Sequence, residues 1–100
     1  MQHIPVGQIT RYDGELRLAV LALTNVLHEH EWLHIVGLIT DLVQPAESLE
    51  VNHRKVADAG PGQEVAFAVR DRVRVYDAVF RITAAEAMEL GRTEEFEPAG

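Results

Sequence analysis

The sequence predicts an all-β protein: a six-stranded, closed antiparallel β-barrel with a short C-terminal helix. Three observations carry this. Short apolar segments alternate with polar residues at a period of two, turn-forming residues interrupt them every 8–15 residues or so, and after residue 83 the pattern becomes helical. The expected units are a barrel over residues 1–83, a helix over 84–91 docked on it, and an acidic, disordered tail over 92–100.

The first strand is carried by Ile4, Val6 and Ile9, with Pro5 near its edge. Asp13-Gly14 in "RYDGEL" marks a hairpin. Beyond it, "ELRLAVLAL" sets Leu16, Leu18, Val20 and Ala22 on one face and Arg17, Ala19, Leu21 and Leu23 on the other, which suits a strand partly covered on both sides. "WLHIVGLI" is a further β-rich run, with a bulge or bend at Gly37. "SLEVNH" turns Leu49, Val51 and His53 one way and Ser48, Glu50 and Asn52 the other, so Val51 belongs inside and Glu50 outside. "DAGPGQE" is a loop. In "VAFAVRDRVRV", Val65, Phe67, Val69, Val73 and Val75 share one parity and Arg70, Arg72 and Arg74 the other. "DAVFRI" is the last strand. Thr83-Ala84-Ala85-Glu86 then reads as a capping box, with Gly91 as the stop and Ala87, Met88 and Leu90 as the docking residues.

Composition bounds the function. A chain of 100 residues with 47% hydrophobic content builds one cored domain. It has no cysteine, which excludes disulfides, thiolate zinc sites and cysteine nucleophiles. No apolar run approaches a membrane span, and "MQHIPVGQIT" lacks the features of a signal peptide, so a soluble cytoplasmic protein without membrane contact is expected. The net charge of −7 rules out a uniformly basic nucleic-acid surface. It does not rule out a local basic patch.

"HEHEWLH" is the most conspicuous string. His30-Glu31-Trp32-Leu33-His34 matches the HExxH pattern of zinc metalloproteases, in which helical spacing aims both histidines at one metal. The strand-like "IVGLIT" follows at once, and no third ligand stands at the spacing such enzymes use. A solvated hairpin loop with Trp32 over one end of the barrel is the expected role. In a strand, His28, His30 and His34 would share a parity, so these three are the candidate ligands of an adventitious metal site.

Other chemistry is sparse. There is no nucleophile elbow, phosphate loop or dinucleotide fingerprint, and Asp13 and Glu15 read as turn residues rather than paired catalytic carboxylates. No enzyme activity and no cofactor are expected. Arg70, Arg72, Arg74 and Tyr76 form the one candidate surface for RNA or a partner, since arginine pairs with phosphate and tyrosine stacks on bases. An ordinary solvated strand face is the plain alternative.

The segments "VGQITRYDGELRLAVLAL", "GLITDLVQPAESLEVNHRKVADAGPGQEVAFAV" and "DAVFRI" together resemble the domain II β-barrel of translation elongation factors of the elongation factor Tu type. The nearest resemblance is to small stand-alone proteins made of this barrel and little else. The family also has a histidine at the position of His53, here expected to be packed or hydrogen-bonded. Two glycine-bearing turns of the family are replaced by His30-Glu31-Trp32 and Tyr76-Asp77, which implies different backbone shapes there. A similar barrel closes the C-terminus of some collagenase-like peptidases. The resemblance implies a non-enzymatic module near translation, contacting RNA or a translation-associated protein and using no nucleotide. The alternatives are a protein-interaction or oligomerisation module without RNA contact, and a metal-binding accessory protein using His28, His30 and His34.

Overall fold

The computed structural model describes residues 3–95. Its elements are β1 (Ile4–Asp13), β2 (Leu18–Leu23), β3 (Leu27–His28), β4 (Trp32–Val36), β5 (Asp41–Pro45), β6 (Glu50–Val51), β7 (Arg54–Lys55), β8 (Asp58–Ala59), β9 (Glu64–Ala68), β10 (Ala78–Ile82) and α1 (Ala84–Glu95). The protein is therefore mainly β with one helix. Eight strands form an antiparallel sheet in the order β5-β4-β10-β1-β2-β9-β6-β7, and β3 and β8 pair separately. Strand pairing leaves β5 and β7 as edges, so it does not draw the closed six-stranded barrel expected from the sequence.

A side chain joins β5 to the end of β9. Gln44 on β5 is fully buried; its amide donates to the carbonyl of Ala68 at 2.8 Å, and its side-chain oxygen accepts the N–H of Arg70 at 2.8 Å. The backbone N–H of Ala68 donates to the carbonyl of Glu47 at 3.1 Å. The end of β9 thus meets the β5 region without forming a ladder with it.

The core is built by alternate residues. Val6, Ile9, Leu21, Leu33, Ile35, Val65, Phe67 and Val79 are all fully buried. On β1, register shifts between Pro5 and Gly7 and between Ile9 and Arg11 allow Val6 and Ile9, of opposite parity, both to point inward. On β2 the core takes Ala19, Leu21 and Leu23, while Leu18, Val20 and Ala22 are half-buried. "SLEVNH" yields only the two residues of β6, because Asn52 and His53 turn the chain with φ of 53° and 65° into a tight hairpin. Val51 packs against the core, but both it and Glu50 are half-buried, and His53 is exposed rather than packed.

The capping box forms as expected. The hydroxyl of Thr83 accepts the N–H of Glu86 at 3.1 Å, and the Glu86 carboxylate accepts the N–H of Thr83 at 2.9 Å. Ala87 is buried where α1 meets β4 and β5, but Met88, a hundred degrees around the helix, is exposed. Gly91 does not stop the helix, which continues to Glu95 through the helix-favouring Arg92 and Glu94. The expected tail over 92–100 therefore begins as helix, and its last residues, 96–100, lie outside the described part. Among the described residues no helix is long and apolar enough to cross a membrane.

Candidate interaction surface

The HExxH string is not helical. His28 lies on β3, His30 stands in a turn at φ 76°, and His34 lies on β4. Each histidine faces a different carboxylate: His28 with Asp58 at 3.9 Å, His30 with Glu29 at 3.9 Å, and His34 with Asp41 at 2.7 Å. Among the described residues, no group of three or more metal-ligating side chains comes together. Glu31, the would-be general base, accepts the N–H of His28 at 2.7 Å and stands 3.7 Å from Arg81. It holds the turn. Trp32 is half-buried and, with Ile4 and Ile82, lines a cleft at that end of the molecule.

The arginine stripe does not form a strand face either. β9 ends at Ala68, and beyond it the N–H groups of the three arginines go to side chains rather than to a neighbouring strand. Arg70 donates to Gln44, Arg72 to the Asp71 carboxylate at 2.7 Å, and Arg74 to the Asp77 carboxylate at 2.8 Å. Val73 stays buried but Val75 is exposed, so the parity breaks. The four candidates separate into two groups. Arg70 and Arg72 share a cleft with Tyr12 and Arg17, whereas Arg74 and Tyr76 belong to a turn over residues 74–77.

That turn is closed by the N–H of Asp77 donating to the carbonyl of Arg74 at 3.0 Å, with Tyr76 at φ 79° where a glycine fits best. The left-handed residue of this turn is a tyrosine rather than a glycine. The turn sits beside the β4–β5 hairpin, where the Asp77 carboxylate occupies the space a Cβ on Gly37 would take. The N–H of Tyr76 also donates to the carbonyl of Ile9 at 2.8 Å.

These loops share one end of the sheet. Val36 pairs with Ala78, which also pairs with Gln8, so residues 37–40 and 74–77 project past the same strand ends. β1 continues beyond them to the hairpin at 14–17, which the N–H of Val69 ties down through the carbonyl of Arg17 at 3.0 Å. Among the described residues, six large hydrophobics are exposed, and five of them are here: Leu16, Leu38, Ile39, Val75 and Tyr76. Sequence reasoning named Tyr76 as a candidate for a partner but missed its apolar neighbours, having assigned Leu38 and Ile39 to a strand.

No protein family's profile matches the sequence, and no curated protein is significantly similar to it. Among solved structures, the protein is similar to the C-terminal domain of a Geobacillus thermoleovorans protein provisionally described as a U32 peptidase. One crystal structure of that domain superposes with a TM-score of 0.73 at 21% identity, covering 78% of this chain and 91% of the domain. Its selenomethionine variant gives a TM-score of 0.74 at 21% identity, covering 77% and 98%. The likeness is one of fold. It corrects the expected resemblance, because the neighbours are a peptidase's C-terminal domain and not domain II of an elongation factor. The translation-related, RNA-binding reading of Arg70, Arg72, Arg74 and Tyr76 rested on that resemblance and on a continuous strand face; neither holds.

Proposed function

We propose that the protein is a non-enzymatic protein-interaction module that docks a partner through its loop end. One observation carries this. Tyr76 is 77% exposed and held at φ 79°, so neither burial nor backbone preference accounts for a tyrosine there. Strained positions of this kind concentrate where a side chain is needed for contact. Leu38 and Ile39 on the adjoining hairpin extend the same apolar surface, and aromatic anchors among aliphatic neighbours suit protein interfaces. The occurrence of this fold as the C-terminal domain of a larger protein fits an attached, non-catalytic role.

The finer architecture belongs to the same reading. The Gln44 bridge supports treating the sheet as a barrel closed by side-chain and loop contacts, which would give the docking loops a rigid base.

Tyr76→Gly combined with Leu38→Ser tests the proposal. Relief of left-handed strain, about 1–2 kcal/mol, outweighs the flexibility glycine adds, about 0.5–1 kcal/mol, so stability should hold or rise slightly. Immobilised double variant should no longer retain a partner that immobilised wild type retains from its native lysate. Equal retention by both proteins, or a stability loss beyond 1 kcal/mol or so, would contradict the assignment.

A further inference from the structure

We propose that the cleft between the β1–β2 hairpin and the segment after β9 receives a carboxylate of a partner protein, carried beside an aliphatic side chain. The proposal deepens the docking reading by naming what one part of that end recognises.

Tyr12, Arg17, Arg70, Asp71 and Arg72 line a cleft of about 170 Å³. Arg17 is placed there at a conformational cost. It ends the four-residue hairpin at φ 55°, a position that favours glycine or asparagine, and its carbonyl fixes Val69 on the facing segment. Among the described residues, neither Arg17 nor Arg72 makes an ion pair, and Arg70 meets Glu47 at 3.3 Å on the open surface.

Charge selects the ligand class. Three arginines line the cleft beside one carboxylate residue, Asp71, and Arg70 is paired with Glu47 outside it, which leaves about one uncompensated positive charge. Asp13 and Glu15 of the hairpin do not line the cleft. One positive charge matches a carboxylate better than a doubly charged phosphate, and the planar guanidinium fork accepts a carboxylate through two parallel hydrogen bonds. Leu16 does not line the cleft, but it adjoins Arg17 in the hairpin and is 66% exposed, so an aliphatic neighbour of that carboxylate has an apolar surface to rest on outside it.

The test uses two small probes on the full chain: N-acetyl-leucine, and N-acetyl-leucinamide, which keeps the aliphatic group and lacks the charge. At constant ionic strength, the acid should give saturable NMR shifts at the amides of Gly14, Arg17 and residues 70–72, and the amide should not. Arg17→Gly suits the local backbone and removes one guanidinium, so the variant should fold at least as well as wild type. Arg17→Gly and Arg72→Gln should each weaken acid binding roughly tenfold, the loss of a charge-assisted hydrogen bond. Equal response to acid and amide, absence of saturation, or binding indifferent to both substitutions would overturn the proposal. So would co-sedimentation with phosphatidylglycerol vesicles that these substitutions abolish while the acid fails to bind, since the ligand would then be a lipid headgroup. The docking reading fails separately: Tyr76→Gly with Leu38→Ser leaves the cleft intact and should not change acid binding.

Discussion

Gln44→Leu is expected to lower stability by about 2–5 kcal/mol, although leucine has nearly the same volume. Gln44 is fully buried and spends both ends of its amide on backbone groups. Its nitrogen donates to the carbonyl of Ala68 at 2.8 Å and of Pro45 at 3.2 Å, and its oxygen accepts the N–H of Arg70 at 2.8 Å. Leucine fills the space but leaves the Ala68 carbonyl and the Arg70 amide without partners, at about 1–3 kcal/mol each. The damage should be localised as well as large, because this side chain joins β5 to the end of β9. Urea unfolding gives the stability, and hydrogen exchange at Arg70 reports the junction. A variant within 0.5 kcal/mol or so of wild type would mean that the two segments are held by something else.

Gly37→Ala should be nearly as disruptive, by about 1–3 kcal/mol. An added methyl would run into the carboxylate of Asp77, which is buried and holds the N–H of Arg74 at 2.8 Å. Moving Asp77 aside therefore breaks the turn at 74–77 as well as crowding the hairpin. The two positions should be coupled. Asp77→Ala alone removes the turn's acceptor, but in its background Gly37→Ala should cost little, since the obstructing group is gone. Additive effects in a double-mutant cycle, measured by thermal or urea unfolding, would show that the two loops do not meet as described.

The sequence was most informative where structure is local. The capping box at Thr83 and Glu86 formed because its partners are three residues apart and need no tertiary help. β1, β2, β4 and β10 were legible from alternation and turn residues. β5 was not, because its inward positions include Gln44 and it ends in a proline, so a buried polar residue broke the apolar pattern. "VAFAVRDRVRV" failed in the opposite sense. Its alternation is real, but Asp71 and Asp77 satisfy the backbone of the second half, and the strand stops at Ala68. Leu38 and Ile39 were misplaced because apolar residues read as buried, whereas here they form a hairpin tip. Tyr76 and His30 both carry positive φ without being glycine, a tertiary imposition that residue type does not announce.

The most direct test of the docking account is site-specific photo-cross-linking in the native cell. A photoreactive residue is placed at Leu38 in one variant, at Tyr76 in a second and at Met88 in a third; Met88 is exposed but belongs to the helix and not to the loop end. Positions 38 and 76 should yield the same defined protein adduct, and position 88 should not. Adducts equal at all three positions, or a defined adduct at position 88 alone, would contradict the assignment of the loop end as the surface that meets a partner.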